Sequence, residues 1–96
     1  MTGNYILKLK DNKWYVGFAA DVDKALYQAW NGDGALFVQK HQPLEVIDII
    51  PGKKYTKQLT LMMMREYGID NVRGHCWSQR EFTDKQRANL TKQIQK

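Results

Sequence analysis

The chain has 96 residues and carries 15 Lys and Arg against 10 Asp and Glu, a net charge of +5. That length gives one domain with little room for a second site, and 11% aromatic residues, with three Trp and five Tyr, exclude a disordered chain. A basic balance favours polyanionic partners over a merely soluble surface only modestly, while no apolar run approaches the roughly 18 residues of a membrane span.

Residues 4–9 (NYILKL) form a short β-prone run, and residues 14–19 (WYVGFA) form a second of matching length. The polar stretch Lys10-Asp11-Asn12-Lys13 joins them as a turn, so the pair reads as a hairpin. Asp21 is an N-cap candidate for a helix to about Trp30. Val22, Ala25, Leu26, Ala29 and Trp30 fall on one helical stripe, and Gly32 stops it. Residues 35–41 are ambiguous between a short helix and a strand.

After Pro43, residues 44–50 (LEVIDII) predict a third strand, whose near-continuous apolar character points to a buried position. A helix is expected over 56–67, with Leu59, Met62, Met63 and Tyr67 on its apolar face and Gly68 closing it. Residues 69–78 read as a loop. Thr83 and Gln86 form a capping-box pattern for a last helix over about 83–95, anchored by Leu90 and Ile94. The order fits an α+β domain: a small three-stranded antiparallel sheet flanked by helices.

Tyr5 in the first strand and Tyr15-Val16-Gly17 in the second resemble the paired signature of the GIY-YIG nuclease family. Tyr67-Gly68-Ile69-Asp70-Asn71-Val72-Arg73-Gly74 is similar to a YGxxNVRGG segment in one branch of that family, often phage or viral, with His75 where the pattern has Gly. The resemblance covers residues 4 to about 80 and implies one GIY-YIG-like domain across 1–96. In active relatives two tyrosines face a cleft, an arginine and a histidine on the first helix serve the phosphate, and a glutamate holds one divalent metal such as Mg. A metal and a fixed cation are needed because charge develops on phosphate oxygens.

By that alignment the arginine position is Ala25, the histidine position Ala29, and the glutamate position Thr56, or Gln58 if the register slips by two. No catalytic residue is therefore expected, and no metal or other cofactor; Tyr5, Tyr15, Ala25, Ala29 and Thr56 would outline a vestigial cleft. The two tyrosines read equally as strand residues packed on a core, and the alanines either as close-packing positions or as the lining of an empty cleft. His41, His75 and Cys76 are too few and scattered for zinc. Trp77 and His75 could stack on bases or cover the core edge.

The expected function is that of a catalytically inactive module binding DNA or RNA weakly and without strong sequence preference, through Lys24, Arg73, Arg80, Lys85, Arg87 and Lys92. Arg73 has a second reading, as a donor to loop carbonyls. Residues 80–96 hold five of the basic groups and a net +3. The alternatives are a protein-interaction regulator or inhibitor that uses the vacated cleft and a divergent metal-dependent nuclease. The single cysteine and the absence of a signal-peptide pattern lead to an expected cytoplasmic location.

Overall fold

The computed structural model describes residues 1–75, 77 and 82–95. Strands β1 (Gly3–Leu9) and β2 (Lys13–Ala19) form the expected antiparallel hairpin, with Tyr5 opposite Gly17 and Leu7 opposite Tyr15. The tight connection puts Asp11 and Asn12 at φ 65° and 56°, a left-handed conformation that short polar side chains tolerate. Helix α1 (Val22–Trp30) starts where Asp21 accepts a hydrogen bond from the Lys24 amide at 3.1 Å. The ambiguous segment is helical: α2 spans Leu36–Lys40. Strand β3 (Pro43–Pro51) pairs antiparallel with β1. Helix α3 (Thr56–Tyr67) ends at Gly68, φ 98°, and α4 (Asp84–Ile94) begins in the full Thr83–Gln86 capping box.

The sheet corrects the three-stranded expectation. A fourth strand, β4 (Val72–Gly74), lies parallel to β2, and the order is β3-β1-β2-β4. Three residues are too short to show alternation, and their pairing partner lies far away in sequence, so this segment reads locally as loop. Gly74 is required there: a Cβ would sit 2.6 Å from the Val16 carbonyl oxygen and 2.5 Å from Thr60 Oγ1.

The buried position expected for β3 is also wrong. It is an edge strand whose Leu44, Val46 and Ile47 are exposed. Its pairing with β1 slips twice, and Ile49 N–H is met by Asp48 Oδ1 at 2.8 Å. Irregular pairing and a local side-chain acceptor both blunt an open edge.

Helices cover both faces of the sheet. Tyr5, Leu7 and Leu9 pack with Val22 and Ala29 of α1 and with Phe37 and Val38 of α2. Ile6, Trp14, Val16 and Val72 pack on the opposite face with Met63 and Met64 of α3 and Leu90 of α4. The expected apolar face of α3 is rotated: Met64 is buried while Met62 is 51% exposed. Thr60 is fully buried against β4. Tyr67 is also exposed at its edge, yet its ring stacks on Trp14 at 4.0 Å.

Candidate functional site

The hairpin register sets Tyr5 and Tyr15 on one face of the sheet as diagonal neighbours, ring centroids 6.4 Å apart. Tyr5 lies flat over Gly17, where any side chain would collide with its phenol. Helix α1 then brings Ala25 and Ala29 over the pair, four residues apart on one helical face. Gly34 closes the far side, in van der Waals range of the Ala29 backbone. The enclosed cavity is about 70 Å³, space for about two water molecules. Close packing has thus taken most of the room that long side chains at these two positions would occupy.

Burial pushes the Tyr5 phenol up to about 12, with the neighbouring Tyr15 adding to the shift. Burial raises Tyr15 as well. Both phenols are protonated at neutral pH, and no cationic or anionic side chain lines their cavity.

Thr56 lies elsewhere. At the first turn of α3 it is buried, with its Oγ1 3.4 Å from His75 Nδ1. It belongs to a second, open depression of about 120 Å³ lined by Tyr15, Gly17, Phe18, Lys54 and His75. Tyr15 is shared by both hollows, while Tyr5, Ala25 and Ala29 line the first and Thr56 the second. His75 sits at φ 55°, a conformation that suits the glycine expected at this position better than a branched ring side chain.

The Lys54 side of this site is held by a residue that pattern reading missed. Asn4, fully buried, donates to the carbonyls of Ile50 (3.1 Å) and Lys53 (2.7 Å) and accepts from the Tyr55 amide (2.7 Å). This one side chain ties the turn after β3 to β1 and so fixes where α3 begins. An asparagine inside a strand run carries no local signal for that role; its partners are about fifty residues away.

The expected phosphate-binding set converges only in part: Arg73 and Arg87 line one hollow. Lys24 is exposed on α1, over one face of the sheet, whereas Lys85, Arg87 and Lys92 belong to α4, over the other. Arg80 lies outside the described residues, as does Cys76. Arg73 is corrected: it is 1% exposed, donates to the carbonyls of Ile69, Asp70 and Val72, and is clasped between the rings of Phe37 (4.6 Å) and Phe82 (3.9 Å). It joins the α2 layer to the segment entering α4 across β4, a structural task, and burial lowers its pKa to about 10. Trp77 bridges back to Gly74 and packs on the core rim, with His75 edge-on at 5.3 Å.

Among the described residues no helix is long and apolar enough to cross a membrane, and no three His, Cys, Asp or Glu side chains gather as a metal would need. No protein-family model and no solved structure matches the chain. Similarity is found to bacterial proteins over a 43-residue stretch, 45% of this chain. The UPF0213 protein YazA of Bacillus subtilis is 37% identical there, with 43% of its length covered. UPF0213 proteins of Staphylococcus saprophyticus and Halalkalibacterium halodurans are each 35% identical, with 52% and 46% covered. The chain spans about half the length of the curated relatives it matches.

Proposed function

We propose that the protein is a GIY-YIG-like module that has lost nuclease chemistry and binds nucleic acid along the rim of Tyr15, between Lys24 and the Lys54–His75 depression. The observation that carries this reading is the uncharged two-tyrosine cavity beside a basic, open one. The inner cavity pairs two protonated phenols with two alanines and Gln28, so it offers neither a fixed cation for a phosphate oxygen nor a base for water at neutral pH. The outer depression offers Lys54, His75 and the first turn of α3, where no side chain caps the helix. Backbone amides and cations of this kind attract phosphate without reading bases.

Lys85 and Lys92 of α4 line neither hollow and contribute long-range potential rather than direct contact in this reading. Fluorescence anisotropy with labelled duplex and single strands tests it. Lys54→Glu is expected to weaken binding about tenfold and Lys85→Glu much less, since only the former lines the depression. Equal effects from the two would refute the assignment of the surface.

A regulator that docks on another protein is the second reading, favoured by the exposed Tyr27 (72%), Trp30 and Leu36 beside the α1–α2 turn. Such a partner would rest on this aromatic surface, beside the cleft of about 70 Å³.

A further inference from the structure

A cavity of about 370 Å³ lies away from the tyrosine cleft and shares no lining residue with it. It opens where the start of β2, the end of α2, β4 and α4 meet. Lys13, Lys40, Arg73 and Arg87 line it, with the imidazole of His41 and a single carboxylate, Asp70. Three carboxylates answer some of this charge. Asp70 and Asp84 lie 2.9 Å and 3.3 Å from Arg87, and Asp11 lies 3.0 Å from His41 Nδ1.

The two ammonium groups are not answered. Lys13 Nζ donates at 2.6 Å to Asn71 Oδ1, a neutral amide, and Lys40 makes no hydrogen bond or ion pair among the described residues. Two uncompensated lysines therefore face one hollow, with the buried Arg73 guanidinium at its wall. Like charges held together without a counter-charge repel unless an anion is shared between them.

We propose that this cavity is a phosphate-binding site, taking a phosphate monoester dianion bridged by Lys13 and Lys40. A dianion matches the two ammonium groups in charge, and the monoester comes either from a strand end or from a free phosphorylated molecule. Lysine suits this role as a point charge with three rotatable donors. Arg73 gains from the same anion, because burial makes its charge costly. The site stands independently of the tyrosine cleft and of any binding there.

The test uses backbone amide NMR of the whole chain titrated with inorganic phosphate, with chloride at matched ionic strength as the control. Saturable shifts at Lys13, Lys40, His41 and Arg73 are expected, and Lys40→Gln should weaken the apparent affinity about tenfold, as loss of one charge-assisted contact does. Lys40 is exposed and unbonded, so this variant should keep the wild-type spectrum elsewhere; Lys57→Gln, exposed and outside the cavity, should change nothing. Shifts that chloride reproduces, or that persist unchanged in Lys40→Gln, would overturn the site. A 5′-phosphorylated oligonucleotide competing with phosphate better than its unphosphorylated twin identifies a strand end as the source; competition by a small phosphate monoester with neither oligonucleotide competing identifies a free phosphorylated molecule, and equal competition by the two oligonucleotides would overturn the monoester assignment.

Discussion

Tyr5 owes its chemistry to one missing Cβ. Because Gly17 is bare, the phenol lies down on β2 and is buried, and burial disfavours its charged form. An acid whose pKa is higher folded than unfolded stabilises the fold fully below its unfolded value, near 10, and loses that contribution as pH rises toward about 12. Ultraviolet titration of tyrosinate should therefore show its last step near pH 12, and Tyr5→Phe should delete that step; a step that survives would reassign it. Gly17→Ala should displace the ring, lower the last titration and destabilise the fold by about 1–3 kcal/mol, as overpacking does, measured by urea unfolding. Asn4 makes a second test. Its replacement by Ala leaves two carbonyls and one amide without their partner, at a cost of about 1–3 kcal/mol, and should unsettle Tyr55 and Lys54 in amide exchange before the rest. Tyr5 and Tyr15 were legible as a pair from the hairpin pattern together with the resemblance to the GIY-YIG signature. Asn4 was not, because its three partners come from the far end of β3.

At the scale of elements, sequence patterns located every helix with a cap or a glycine stop and misjudged what tertiary contact decides. Asp21, Gly68 and the Thr83–Gln86 box act locally, so their signals are complete within a few residues. Thr83→Ala is accordingly expected to cost about 1 kcal/mol in thermal unfolding. The face of α3 is different: three consecutive methionines carry no phase of their own, and the small Thr60 beneath β4 sets the rotation. Met64→Ala should cost about 2–5 kcal/mol, while Met62→Ala stays within about 0.5 kcal/mol; the reverse order in denaturant unfolding would restore the rotation read from the sequence. β3 shows the same limit. An apolar run specifies a strand, but whether it lies at the centre or the edge depends on whether another strand pairs beyond it. Here β4 adds to the β2 side instead.

The molecule as a whole places two kinds of surface apart. An uncharged tyrosine cavity under α1 adjoins, through Tyr15, a basic depression at the start of α3; the β4 end gathers lysines from residues 13 and 40, which only the topology brings together. The basic character was plain from composition, while the geometry that divides it was not, since Arg73, the most tempting phosphate contact in the motif, proves to be buried scaffold. The account's central claim is binding to nucleic acid without cleavage. Its most direct test follows one labelled DNA duplex with purified protein and Mg²⁺ or Mn²⁺, reading anisotropy across about 50–200 mM salt and strand integrity on a gel. A surface making three or four phosphate contacts predicts a slope of log affinity against log salt near about −3, with the strands intact. Absence of binding at the lowest salt with micromolar protein, or cleavage that disappears in Tyr15→Phe, would contradict it.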